Sequence, residues 1–229
     1  MQDFKRFAIY YAPERGPFAA AAAAWLGWDP VRGQPEPQPD LGPDLGVDLA
    51  PLTEDPRKYG FHGTIKPPFR LAAGVSLADV QDQTTALARR LTPVVMPGLH
   101  LISLHGFLAL VPQGDTAALG HLAAQVVETL DGLRAPLTDA EIARRRPDRL
   151  TPRQRDLLDR YGYPHVMEEF QFHLTLSGRL TSSQTAALHP LALAHFAPVQ
   201  PKPFTVAELC LFAEAADGRF HLLTRHPLG

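Results

Sequence analysis

The sequence predicts an α+β fold with an internal duplication, and three observations carry that prediction. The order strand, helix, strand, strand occurs twice, beginning at Tyr59 and again at Phe170. Both units open on the same short pattern, Phe-His-x-Thr followed by an aliphatic residue: Phe61-His62-Gly63-Thr64-Ile65 and Phe172-His173-Leu174-Thr175-Leu176. The composition suits a globular chain of 229 residues with a sizeable core, being 45% hydrophobic and 20% charged with a net charge of −2. A TIM barrel or a doubly wound sheet would need strict alternation of strands and helices, which this order lacks. The same numbers exclude disorder throughout the chain. They also argue against a dedicated duplex-DNA or membrane-surface binder.

The elements follow from local pattern. Phe4–Tyr11 reads as a strand, and six consecutive alanines favour a helix within Phe18–Trp28. Seven prolines between Pro30 and Pro56, with Gly33, Gly42 and Gly46, predict an extended surface loop. Tyr59–Leu71 reads as a strand broken near Pro67-Pro68. Ser76 caps a helix over Leu77–Leu91, whose Leu77, Val80, Leu87 and Leu91 share a face. Val94–Ser103 and Phe107–Val111 form two strands turned at His105-Gly106, and Asp115 caps a helix ending near Asp131-Gly132. Residues 136–164 form a helical insertion of two short charged helices, Thr138–Arg146 and Thr151–Tyr161, the first opened by a Thr138/Glu141 capping box. The second unit then supplies Phe170–Leu180, a helix over Ser182–His195, and strands Phe204–Ala213 and Phe220–Arg225 joined at Asp217-Gly218.

The repeated motif has a chemical meaning. Strand residues two apart share a face, so His62, Thr64 and Lys66 project to one side while Phe61, Gly63 and Ile65 face the other. In the second copy His173, Thr175 and Ser177 share a side. Two imidazoles across a cleft supply a general base and a general acid to one phosphodiester, with the threonine hydroxyls holding its non-bridging oxygens. Lys66 would neutralise phosphate charge, unless it is a solvated lysine at a strand end. Chance alone supplies about 0.6 His-x-Thr matches in a chain of this composition, so a pair of half-buried strand histidines competes with the catalytic reading.

Longer segments go further. They are Arg57-Lys58-Tyr59-Gly60-Phe61-His62-Gly63-Thr64-Ile65-Lys66-Pro67-Pro68-Phe69-Arg70, Gly106–Pro112, Arg134-Ala135-Pro136, Arg144-Arg145-Arg146-Pro147, Tyr161-Gly162-Tyr163-Pro164 and Phe172–Leu176. Together they resemble the two-histidine phosphoesterase superfamily, and within it the bacterial proteins associated with phosphonate-utilisation operons. RNA 2′,3′-cyclic phosphodiesterases and 2′-5′ RNA ligase-like proteins are related to these. The resemblance implies one two-lobed, pseudo-symmetric domain over residues 1–229, with antiparallel sheets lining a central cleft and helices outside. It implies His62 and His173 as the catalytic pair, Thr64 and Thr175 as phosphate-orienting residues, and hydrolysis without metal or cofactor. The implied substrate is a small cyclic phosphodiester of a phosphorylated sugar or nucleotide, such as a phosphoribosyl cyclic phosphate. An RNA 2′,3′-cyclic phosphate is the alternative substrate. A non-catalytic module binding nucleotides or RNA ends is the alternative of another class.

The remaining residues divide between folding and function. Arg144, Arg145, Arg146, Arg149, Arg153 and Arg155 form a basic run that reads as a solvated helix face, or as one or two arginines reaching a terminal phosphate. Tyr10 and Tyr59 read as packing residues, with stacking on a sugar or base as the other use. The histidines show no metal-ligand spacing, and phosphate-loop and dinucleotide-binding glycine patterns are absent. Cys210 has no partner for an intrachain disulfide, which points to a reducing, cytoplasmic setting. No apolar run is long enough to span a bilayer, and Met1-Gln2-Asp3-Phe4-Lys5-Arg6 lacks a leader layout.

Overall fold

The two units fold as the duplication predicts, but they exchange strands. The computed structural model describes residues 4–41 and 48–229. The leader reading of residues 1–3 and the loop reading at 42–47, with Gly42 and Gly46, lie outside the described residues.

Strand β1 (Phe7–Tyr11) leads into α1 (Pro17–Leu26), which the alanine run supports and which closes on Gly27 with φ 77°. The proline-rich stretch is not wholly extended. It holds a short ribbon of β2 (Trp28–Asp29) and β3 (Gln34–Pro35), then α2 (Leu49–Leu52) and α3 (Glu54–Arg57). Asp48 caps α2 at the Ala50 amide, and Pro56 sits within a helical turn too short for the ring to break a ladder. Arg57 then gathers the stretch, donating to the carbonyls of Leu26 (2.7 Å) and Ala50 (2.8 Å) and to the side chains of Gln38 and Thr53.

The first unit is β4 (Gly63–Phe69), α4 (Leu77–Ala88), β5 (Val94–Met96), β6 (Leu99–Leu104), β7 (Phe107–Pro112) and α5 (Ala117–Thr129). Here β4 runs through Pro67-Pro68 instead of breaking. Its pairing with β1 slips twice, from Phe7↔Phe69 to Ile9↔Lys66 to Tyr10↔Thr64, and the prolines sit in the first slip, where no ladder donor is needed. The insertion holds α6 (Asp139–Arg144) and α7 (Pro152–Tyr161), each opened by a capping box. The second unit is β8 (Leu174–Thr175), α8 (Ser182–Phe196), β9 (Phe204–Val206), β10 (Glu208–Glu214) and β11 (Phe220–Pro227). The strand expected over 170–180 is therefore brief. Beyond Thr175 the Leu176 amide still donates to the Leu108 carbonyl (2.8 Å), but the Leu108 amide turns to the Ser177 hydroxyl (2.9 Å), so a side chain takes one place in the ladder.

One antiparallel seven-stranded sheet has the order β11-β10-β1-β4-β8-β7-β6. The hairpin of the first unit, β6–β7, lies beside β8 of the second, while the hairpin of the second, β10–β11, lies on the β4 side beyond β1. Strand β5 of one unit pairs with β9 of the other. The helices follow the exchange, α4 packing on β10 and β11 and α8 on β6 and β7. Two lobes therefore meet inside a single sheet, at the pair Gly63↔Leu174. One face of that sheet carries Phe7, Ile9, Tyr11, Ile65, Leu108 and Leu110 into the main core beneath the helices. The opposite face carries a small cluster of Ala8, Tyr10, Cys210, Phe212 and Phe220. Among the described residues no helix is long and apolar enough to cross a membrane.

Glycine at 63 is a packing requirement. A Cβ there would lie 2.2 Å from Phe172 Cζ and 3.1 Å from Leu174 Cδ2. Gly63→Ala is expected to destabilise by about 1–3 kcal/mol, because Phe172 must leave its place at the junction. Gly120→Ala, in α5 with nothing near its added carbon, is expected to stabilise by about 0.5–1 kcal/mol. Chemical denaturation of both variants checks the pair of signs.

Candidate active site

The sheet junction brings the two His-x-Thr motifs to one cleft of about 370 Å³ on the face away from the helices. His62, Thr64, His173 and Thr175 line it. Each histidine stands one residue before its strand, and each is held in the same way. His62 Nδ1 donates to the Gly60 carbonyl at 2.8 Å, and His173 Nδ1 donates to the Gln171 carbonyl at 2.7 Å. A carbonyl only accepts, so Nδ1 must carry the proton in both rings, which leaves each Nε2 with the free lone pair in the neutral ring. Gly60 takes φ 70°, and a Cβ there would come within 2.6 Å of Pro30, so the turn that presents its carbonyl needs glycine.

The rings differ in their surroundings. Tyr10, from the cleft face of β1, stacks on His62 with centroids 4.0 Å apart and planes 27° apart. Tyr59 lies 5.8 Å from the same ring and stacks on Phe220. His173 has a looser neighbour in Phe107, at 5.6 Å and 50°. Burial pushes the His62 pKa down to about 4, against the Gly60 hydrogen bond and with help from the nearby His173. Burial also lowers the pKa of His173. Both imidazoles are thus neutral near pH 7. No protein hydrogen bond engages the hydroxyl of Thr64 or Thr175 among the described residues.

Lys66 does not reach this cleft, contrary to the expectation from spacing. The residue is 1% exposed, and Nζ donates to the Val127 carbonyl (3.2 Å) and contacts Asp131 (3.5 Å). The slips of β4 against β1 upset the simple alternation of sides beyond Thr64. An ammonium is favoured where it lies, against the last carbonyls of α5. Burial lowers the Lys66 pKa to about 8 despite Asp131. Ser177, the matching residue of the second copy, is equally buried, and its hydroxyl both accepts from Leu108 and donates to the Gly178 carbonyl.

Positive charge enters the cleft from other places. Arg6, Arg145 and Arg179 line it, with Tyr10, Tyr59, Tyr163 and Phe107 as aromatic walls and Pro67, Pro68, Asp55 and Pro56 at its edges. Of the insertion's basic run, only Arg145 lines the cleft, its guanidinium carbon 4.7 Å from the Tyr163 ring centre. Arg144, Arg153 and Arg155 are engaged elsewhere, with Ala140, Glu168 and the carbonyls of Pro147 and Leu150. Arg179 and Tyr163 were missed as site residues from the sequence. Arg179 continues the spacing of His173, Thr175 and Ser177 by one more step of two, a signal that was available. Among the described residues no three His, Cys, Asp or Glu side chains gather into a metal-binding group.

Comparison with known proteins adds three findings. A family model described as "Protein of unknown function (DUF1045)" matches residues 64–221. A relative named "Ribose 1,5-bisphosphate phosphokinase PhnN", from Janthinobacterium sp. (strain Marseille), is 34% identical over 95% of this chain and 49% of its own length. The chain spans about half the length of the curated relatives it matches. Among solved structures, E. coli LigT complexed with NADP+ aligns over 99% of this chain and 98% of that one, at 14% identity and a TM-score of 0.45. A structure titled "Crystal structure of phosphoesterase" aligns over 99% of both chains at 15% identity and a TM-score of 0.45.

Two outcomes test the site's physics. Because the folded His62 pKa lies below that of an exposed imidazole, the unfolded chain takes the proton first on acidification. Stability from neutral His62 is present above about pH 6.5 and lost as pH falls toward about 4. Urea denaturation at about pH 7.5 and about pH 5 should therefore show a larger loss for the parent chain than for His62→Gln. Lys66→Ala should lower stability by about 1–3 kcal/mol, since it strips the α5 carbonyls of a buried donor.

Proposed function

The chain belongs to the DUF1045 family, and from that premise we propose that it is a phosphodiesterase using His62 and His173 as its acid–base pair. The observation that carries this reading is the matched presentation of the two imidazoles. Each Nδ1–H is fixed by a carbonyl two residues back, and each is followed two residues on by an unengaged threonine hydroxyl, all four facing one cleft. In the proposed reaction one Nε2 takes a proton from water as its oxygen bonds to phosphorus. The opposite P–O bond breaks, and the other imidazole, protonated, gives its proton to the leaving oxygen. The products are a phosphomonoester and a free hydroxyl. Thr64 and Thr175 would hold the non-bridging oxygens as charge builds on them.

The unequal surroundings favour His62 as base. Packed against Tyr10 and driven toward the neutral form by burial, it is suited to accept a proton. His173 is less enclosed, and a bound phosphate anion would raise its pKa and equip it as the acid. No step in this scheme needs a metal or cofactor. A cyclic phosphodiester of a phosphorylated ribose is the proposed substrate. The name of the curated relatives, which speaks of ribose 1,5-bisphosphate, supports a ribose phosphate; the kinase activity in that name is said of chains about twice as long. A cytoplasmic site of action fits the single, buried Cys210.

The purified protein should hydrolyse ribosyl 1,2-cyclic phosphate esters or nucleoside 2′,3′-cyclic phosphates in the presence of a chelator, with a bell-shaped pH–rate profile. His62→Ala and His173→Ala should each lower kcat/KM by about 10²–10⁴, and the double variant should lose little more, because the two act in one step. Near-normal turnover in either single variant would overturn the assignment. Tight, salt-sensitive binding of RNA ends with no product would replace it by the binding-module reading.

A further inference from the structure

The cleft carries more positive charge than a phosphodiester needs. Three arginines line it, and one is already neutralised, Arg6 Nε lying 2.5 Å from Glu214. The one carboxylate on the lining, Asp55, is taken by Lys58 at 3.1 Å. Arg145 and Arg179 have no carboxylate partner among the described residues. With both imidazoles neutral, the local surplus is about two charges, and it comes from these guanidiniums.

Neither arginine belongs to a His-x-Thr motif. The histidines and threonines sit where β4 meets β8, whereas Arg145 comes from the insertion, at the end of α6. Arg179 lies four residues beyond Thr175, a chain distance of up to about 14 Å. Arg145 is also held in advance. Its guanidinium rests on Tyr163, and α6 is clamped to the end of β4 by Arg70, which donates to both Glu141 oxygens (3.1 and 2.9 Å) and to the Pro136 carbonyl (2.7 Å). A planar fork stacked on an aromatic face keeps its N–H edge for a phosphate.

Resting on the phosphodiesterase reading, we propose that Arg145 and Arg179 form a second anion subsite, which takes a phosphomonoester of the substrate other than the diester that is cleaved. The substrate class is then a cyclic phosphodiester bearing a further terminal phosphate, and the insertion is the element that selects it.

The test uses matched pairs: ribosyl 1,2-cyclic phosphate with and without a 5-phosphate, and adenosine 2′,3′-cyclic phosphate with and without a 5′-phosphate. The parent enzyme should prefer the phosphorylated member of at least one pair by about 10- to 100-fold in kcat/KM, as loss of charge-assisted hydrogen bonds would predict. Arg145→Gln and Arg179→Gln should each shrink that preference, mainly through a higher KM for the phosphorylated member. Equal kcat/KM within both pairs, or variants that slow both members alike, would overturn the subsite and leave the phosphodiesterase reading intact. A second arm needs no turnover: calorimetric binding of ribose 5-phosphate against ribose, in the His62→Ala/His173→Ala background with and without the arginine substitutions. Arginine-dependent binding of ribose 5-phosphate without hydrolysis of any ester would retain the subsite while removing the hydrolase. Binding that ignores the arginines would sink the subsite on this arm too.

Discussion

The structure depends on one close approach, that of β4 to β8 at Gly63 and Leu174. Everything chemical about the cleft follows from it, because the strands that carry the two histidines touch nowhere else in the ladder. The approach is possible because position 63 has no side chain, and Phe172 fills the space a Cβ would take. Phe172 in turn lies against Tyr11 and Phe204, one from β1 and the other from β9, so the junction is tied to the first strand and to the small second sheet. The unlike middle residues of the two motifs, Gly63 and Leu174, are the two halves of this contact. The repeat is therefore symmetric at histidine and threonine, where the proposed chemistry lies, and asymmetric where packing needs it.

Strand exchange is the second consequence. Each unit's hairpin completes the other unit's half of the sheet, and each unit's helix covers the hairpin of the other. Each hairpin is thus covered by the helix of the other unit, so the two halves share one core. That arrangement puts α1, α4, α5 and α8 over the main core on one face and leaves the other to be roofed by other parts of the chain. The stretch gathered by Arg57 and the insertion clamped by Arg70 and Glu141 do this, and they bring Tyr59, Tyr163 and Arg145 to the cleft.

Charge is distributed with the same economy. The cation nearest the motif in sequence, Lys66, is spent on the carbonyl end of α5, where the sheet needs an anchor. The histidines are kept neutral by burial, so the base form is the resting form. Anion attraction is left to guanidiniums on the rim, which stay charged whatever their surroundings. Removing the lysine from the reacting centre keeps the low-dielectric floor free of a permanent charge that would depress the imidazoles further.

Much of this was legible in the residues alone. The capping box at Thr138, the alanine helix, the duplicated unit and the pairing of each His with a Thr are short-range properties, set by spacing and side-chain chemistry within a few residues. The sequence also determined that histidine and threonine would share a side at each motif, since the period of an extended chain is a local fact. Tertiary structure alone decided which lobe each hairpin would join, because neighbours in a sheet are chosen by long-range packing. It decided that β4 would slip past Pro67-Pro68 and bury Lys66, since a bulge is defined only against a partner strand. And it decided that one arginine of the basic run, Arg145, would turn inward, because that depends on where a clamp between Arg70 and Glu141, 71 residues apart, sets the insertion down.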